Sequence, residues 1–390
     1  MTKRKWLAAI LCAVALCFGL ALAGCSQGSG NPATSESSSS SQSASSSDSS
    51  QAVSNDAAPN AASDETRLFT DSLGREVEVP VQLDKIAPSG HTAMQVLLTM
   101  APEKMVGLSQ ELNESQIKYF GDQYADLPIF GAAFGNKGDM NKEAVAAAGA
   151  QIIIDTGDPK DGMADDLDAL QEQMGIPCVH ITTTLESFGD GYRLLGDLLG
   201  MKERGEQLGA YCDAAYAEVA ETMAGIPEEE RVNIAYLIGD SGLNAIPKGS
   251  FQGAIIDMCC NNVVVVENPS GSGLGNEISL EQMAIWNPEM IVFQKGSIYD
   301  TVGDEPAWAG IAAIENNNYY EVPDEPYCWL NNPPTVNQIM GMQWLPRLCY
   351  PDKFATDLKD VTLSYYKTFY NHDLTDAEYD ELVAKAIPKA

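Results

Sequence analysis

The sequence predicts an α/β body of two lobes, each with a central parallel sheet flanked by helices. A long helical connector joins them, and a ligand cleft lies between. Three observations lead there. Strand-length apolar runs alternate with helical patterns through the body. Two segments 138 positions apart share one layout: Asn141 to Ile154 and Ser279 to Val292 each show a cap, a Glu in the first turn, a short helix, a turn and an apolar strand. Between the halves, residues 190–225 are helical by pattern.

The elements follow in order. Residues 1–24 begin with Lys3-Arg4-Lys5 and continue through an uncharged run from Trp6 to Ala23, which is the layout of a secretory leader. Residues 25–65 are poor in apolar side chains, and 13 of the 20 residues from Ser35 to Ser54 are serine, so a flexible tether is expected. The first lobe, 66–189, has strand candidates at 85–87, 105–107, 151–155 and 178–182, with helices such as 92–100 and 164–174 between them. The connector, 190–225, carries the apolar stripe Leu194, Leu195, Leu198 and Leu199, and Gly200 marks a stop or kink. Its helices add up to about 50 Å at 1.5 Å per residue. The second lobe, 226–390, has strand candidates at 233–238, 263–266, 290–293 and 319–322, and ends in closing helices.

Composition removes several classes. With 390 residues, 23 Lys+Arg and 55 Asp+Glu, the formal charge is -32, which repels phosphate backbones and excludes a nucleic-acid binder. The leader is the only long apolar run, so a polytopic membrane protein is excluded too. No Gly-x-Ser-x-Gly elbow, phosphate loop or His-Glu-x-x-His occurs, and no enzyme is expected. The Gly271 to Gly275 stretch reads as a turn after Asn268-Pro269. Three dispersed histidines argue against capture of a bare zinc or manganese ion. Of nine cysteines, Cys178, Cys212, Cys259, Cys260, Cys328 and Cys349 belong to the body, and spacing names no pairing. Few or no disulfides are expected.

Two resemblances add to this. Leu22-Ala23-Gly24-Cys25 resembles the lipobox of bacterial lipoproteins, which implies cleavage before Cys25 and a lipid on its sulfur and amino group. In the body, Asp71-Ser-Leu-Gly74-Arg75 to Pro80, Met140-Asn-Lys-Glu143 and Ile278-Ser-Leu-Glu281 to Pro288 resemble the iron-siderophore and cobalamin-binding proteins of ABC importers. Trp308 to Ile314, Tyr320-Glu-Val-Pro323, Trp344-Leu, Tyr350-Pro351 and the segment from Tyr365 to Tyr370 continue the match in the same order, over about residues 66 to 388. The resemblance implies a membrane-anchored extracytoplasmic protein, monomeric and without a cofactor of its own. It would capture a metal chelate or corrinoid and deliver it to a permease and its ATPase. It places Glu143 and Glu281 at the lobe tips, against arginines of the permease. The same fold binding a small oxyanion such as molybdate or tungstate, or a non-transport surface protein, remains open.

The cleft is expected where loops leave the strand ends. In the first lobe Gly90 and Thr92 open a helix whose amides face an anionic group. His91 is the best placed of the three histidines to touch a metal or ligand, a solvated loop histidine being the alternative. His180 reads as packed and His372 as surface. Phe134 lies in the loop from Phe130 to Gly138. In the second lobe Asn244, Lys295, Tyr299, Tyr327 and Trp329 sit on candidate loops, the aromatic rings offering flat faces to a macrocycle or chelate, with core packing as the alternative. No arginine falls in a cleft loop, and Lys137, Lys248 and Lys295 are the only cations near one. That weakens the case for a highly anionic ligand.

Overall fold

The computed structural model describes residues 65–134, 138–270 and 273–388. The leader, Cys25, the tether and Lys137 lie outside the described residues. The described body is one compact unit. It opens with an antiparallel hairpin, Thr66–Thr70 against Glu76–Pro80. The turn is held by Asp71, whose buried carboxylate accepts from the Leu73 and Arg75 amides and pairs with the Arg75 guanidinium at 2.9 Å.

The first sheet is parallel, in the order Ile86–Pro88, Ile152–Gly157, Cys178–Thr182. The last two strands fall within a residue or two of the expected bounds. The expected strand at 105–107 does not form. That segment makes single bridges, Ile86 to Met105 and Leu108 to Ile129. Val106 donates to one neighbour (Ile86 O, 3.1 Å) and Leu108 to the other (Pro128 O, 2.9 Å), so no ladder builds on either side.

In the second sheet Asn233–Ile238 is central. Met290–Phe293 and then Tyr319–Glu321 pair parallel on one side, and Asn244–Ala245 and Asn276–Glu277 pair antiparallel on the other. The expected strand at 263–266 is displaced to Asn261–Asn262. The buried Asn262 side chain accepts from the Val264 amide, and Val265 donates back to Val263 O, which ends the strand early.

The connector also differs from expectation. Helices Phe188–Leu199 and Lys202–Ala224 do not run end to end. Gly200 adopts a left-handed φ of 68° and stops the first helix, and the second folds back along it. A Cβ on Gly205 would meet Tyr192 O at 2.6 Å, and one on Gly209 would meet Gly189 O at 2.7 Å, so the helices run antiparallel in close contact. Only the 23-residue second helix carries the chain onward, a span of about 35 Å rather than 50 Å.

Helices Gln338–Cys349, Leu358–Tyr370 and Asp376–Val383 close both lobes, not the second alone. Tyr365 and Phe369 pack their rings on Tyr211 and Tyr192, and Tyr366 packs on Tyr119 at 5.3 Å. One core cluster therefore runs from Phe69 to Ala386 through one face of each sheet, and two smaller clusters close the opposite faces. His372 is not a free surface residue. It is half-buried, with its ring 4.9 Å from that of Tyr119 and its Nε2 3.2 Å from Glu378 Oε1. Among the described residues no helix is long and apolar enough to cross a membrane.

Candidate functional site

The carboxyl ends of both parallel sheets feed the loops that bound the cleft. In the first lobe helix His91–Met100 starts at Gly90 with no side chain capping its first turn. Thr92 Oγ1 donates to Thr156 O at 3.1 Å, which fastens that start to the end of the central strand. His91 is exposed, and its Nδ1 lies 2.9 Å from Ser109 Oγ. Ala133 donates to Ser89 O at 2.6 Å, laying the loop of half-buried Phe134 over Ser89-Gly90. Below it, Ser89 donates to Asp155, whose other oxygen holds His180 Nδ1 at 2.7 Å. His180 is fully buried and packed, and its Nε2 has no partner.

In the second lobe Lys295 pairs with Glu325 at 3.5 Å, and Tyr119 of the first lobe reaches the other oxygen of Glu325. Burial pushes the neighbouring Asp324 carboxyl up to about 6. Burial, then Glu325, holds the Tyr119 hydroxyl above its usual range. Asn244 is half-buried on the short antiparallel strand.

Three aromatic residues are turned into the protein. Trp329 is 1% exposed, packs edge-on against Trp344 at 6.2 Å and donates from Nε1 to Tyr366 Oη. Tyr299 is buried in the second-lobe core against Tyr319 at 5.5 Å. Tyr327 is buried against Phe120 at 6.0 Å, and its Oη lacks a partner. These loops run too close to the core for a ring to face a ligand, so core packing describes all three.

A cavity of about 460 Å³ lies between the lobes. Asp158, Thr184, Leu185 and Glu186 line it from the strand ends of the first lobe, Tyr216 from the connector, and Phe251, Ala254, Met258 and Gln338 from the second lobe. Tyr216 Oη donates to Glu186 at 3.0 Å. Asp158 contributes from the loop after strand Ile152–Gly157, whereas Gly90, His91, Thr92, Phe134, Asn244, Lys295, Tyr299, Tyr327 and Trp329 are not among the described lining residues. Reading the loop after strand Cys178–Thr182 by the same rule would have found Thr184 and Glu186. Tyr216 lies on a helix whose pattern reads only as core. A smaller cavity of about 280 Å³, lined by Arg347, Phe354 and Ile387 among others, lies away from the strand ends.

The six described arginines are all engaged. Arg67 bonds Asp197, Arg75 bonds Asp71 and Asp168, and Arg193 bonds Glu206 and Asp213. Arg204 donates to Thr99 O, Arg231 to Met223 O and Met258 O, and Arg347 to Glu218, Gln343 O and Thr356 O. Among the described residues no cation lines the 460 Å³ cavity, and two carboxylates do. Among the described residues no group of three or more His, Cys, Asp or Glu converges to hold a metal ion.

Glu143 and Glu281 are exposed in the first turns of Lys142–Ala147 and Leu280–Trp286. Asn141 and Ser279 cap those helices, accepting from the Ala144 amide at 3.0 Å and the Gln282 amide at 3.2 Å. Its own backbone amide and Ser279 hold the Glu281 carboxyl below its usual range.

Two parallel-sheet lobes, a single spanning helix and a cavity at the strand ends define a solute-binding protein of the two-lobed kind. The periplasmic binding protein family model matches residues 111–326, more than half of the chain, and the chain belongs to that family, the one its motifs resemble. An ABC transporter solute binding protein from Sulfurospirillum deleyianum is 25% identical, covering 82% of this chain and 99% of that one, with a TM-score of 0.74. A periplasmic solute binding protein from Veillonella parvula is 23% identical over 83% and 98%, at 0.67. A molybdate periplasmic binding protein from Haemophilus influenzae, bound to molybdate, is 20% identical over 79% and 99%, at 0.62. No curated protein matches. The chain is thus an extracytoplasmic solute-binding protein of an ABC transporter, in a family of substrate-binding proteins whose work implies a permease partner and a small-molecule ligand.

Proposed function

We propose that the protein captures a metal chelate or corrinoid of low negative charge and delivers it to the permease of an ABC importer. The observation that carries this reading is the charge of the cleft. Asp158 and Glu186 line the cavity, and every described guanidinium is committed elsewhere. A polyanionic catecholate or a haem propionate pair wants guanidinium forks. A cobalamin or a neutral or cationic chelate does not, and it meets apolar contact from Leu185, Phe251 and Met258. Function is binding, lobe adjustment and docking, with no covalent chemistry. The protein acts as a monomer, held at the outer membrane face through a lipid on Cys25, as Leu22-Ala23-Gly24-Cys25 suggests. Glu143 and Glu281 supply the charges that meet the permease. Their exposure at matching positions in the two lobes supports that role.

A second reading, capture of a small oxyanion such as molybdate or tungstate, rests on the uncapped start of helix His91–Met100 beside Thr92. Thermal unfolding of the purified protein against cobalamin, haem, ferric siderophores of differing charge, molybdate and tungstate separates the two. A ligand at a hundred times its dissociation constant adds about 2.7 kcal/mol, a measurable rise in midpoint. A shift with cobalamin or a neutral chelate is expected. A shift with molybdate alone establishes the second reading, and a shift only with catecholates or haem overturns the charge argument.

A further inference from the structure

Among the described residues one pair of thiols meets. Cys260 Sγ and Cys349 Sγ stand 3.5 Å apart, although 89 positions separate them in sequence. Cys260 directly follows helix Ala254–Cys259 and precedes the strand Asn261–Asn262, and Cys349 is the last residue of helix Gln338–Cys349. The Met290 thioether lies 3.8 Å from Cys349 Sγ. Cys260 is 3% exposed, whereas Cys349 is half-buried and opens one side of the pair to solvent. Bonded sulfurs lie about 2.05 Å apart, so closing the pair takes about 1.5 Å of sulfur movement, within the reach of side-chain rotation.

We infer that Cys260 and Cys349 are a disulfide-forming pair, joined in the exported protein by exchange with an oxidised dithiol protein or a small disulfide such as oxidised glutathione. The Cys349 thiolate attacks one sulfur of the oxidant's disulfide, which breaks and releases one thiolate. The Cys260 thiolate then attacks the Cys349 sulfur of the mixed disulfide, and the oxidant's second thiolate leaves. The two cysteines give up two electrons and two protons, and the oxidant's disulfide becomes two thiols. The contact with Cys349 and burial raise the Cys260 thiol above its usual range. The exchange is therefore easiest while the chain is folding and Cys260 is still uncovered. The bond fastens the carboxyl end of helix Gln338–Cys349 to the edge of the second sheet.

The test uses the full chain, expressed with its leader in a bacterium and recovered from the extracytoplasmic side. It is denatured without reductant, alkylated with iodoacetamide and digested with trypsin. The expected result is the peptide of residues 249–295 joined to that of 348–353, with fragmentation placing the link at Cys260 and the alkyl group at Cys259. Recovery of both peptides fully alkylated, or a link at Cys259, overturns the assignment. A Cys349→Ser variant gives a second reading. Dithiothreitol should lower the unfolding midpoint of the parent by several degrees and leave that of the variant unmoved. If the variant does not fold, the peptide map of the parent still decides.

Discussion

Replacing Gly205 with valine tests the helix pair that joins the lobes. A Cβ at this position would lie 2.6 Å from Tyr192 O and 2.9 Å from Gly196 Cα. Both are backbone atoms of the neighbouring helix and cannot rotate away. Ordinary Cβ contacts begin near 3.4 Å, so the helices must part by about half an ångström or more, and the valine methyls widen the gap further. Overpacking of this kind costs about 1–3 kcal/mol. Against it stands a gain of about 0.4 kcal/mol in helix propensity over glycine. The net is a loss of about 2 kcal/mol, or about 3 °C in the unfolding midpoint for a body of this size. Calorimetry or circular dichroism of Gly205→Val beside Gln207→Ala, a change on the same helix expected to fall within about 0.5 kcal/mol, reads the difference. An unchanged or raised midpoint for the valine variant would mean that the helices are not in backbone contact there.

Three other changes separate roles in the same molecule. Glu143→Ala combined with Glu281→Ala should reduce cellular uptake to that of a strain lacking the gene, while the purified variant keeps the parent's thermal response to ligand. Loss of that response would sink the docking assignment. Asp324, pushed up to about 6 by burial, favours folding below its unfolded value near 4; that contribution is lost as pH rises to 6, where the buried carboxylate ionises. Asp324→Asn should therefore raise stability at pH 7.5 by up to about 3 kcal/mol, with the gain vanishing towards pH 4. Equal midpoints of variant and parent at pH 7.5 would contradict this. Trp329→Ala should cost about 3–5 kcal/mol through the cavity it leaves beside Trp344, whereas Trp329→Phe should fold and keep the ligand response. A stable Phe variant that has lost its ligand would return Trp329 to the cleft.

Legibility followed burial. Strands 233–238 and 290–293 match their expected bounds because both faces of a parallel sheet are covered and the apolar run is continuous. The hairpin Thr66–Thr70 and Glu76–Pro80 escaped because it alternates exposed and buried residues over only five positions each. Asn262 could not be foreseen as the end of its strand, since its role depends on side-chain bonds to Ile246 O and Asp257. The repeated helices bearing Glu143 and Glu281 were visible because cap, acid and apolar run are all local signals. The cleft was not. Whether Trp329 faces a ligand or Trp344 is decided by a helix fifteen positions further along the chain. Whether Tyr216 belongs to the core or to the cavity is decided by the second lobe packed across it.

The long core also has a consequence for how the protein is made. Phe369 covers Tyr192 of the connector, Tyr366 covers Tyr119 of the first lobe, and Trp344 Nε1 donates to Ala386 O. The half that leaves the ribosome first therefore cannot finish its core until residues 366–386 have been made. In most two-lobed chains the leading lobe can mature during synthesis. Here the first lobe stays incomplete until the closing helices have been made, which suits a polypeptide that works outside the cytoplasm.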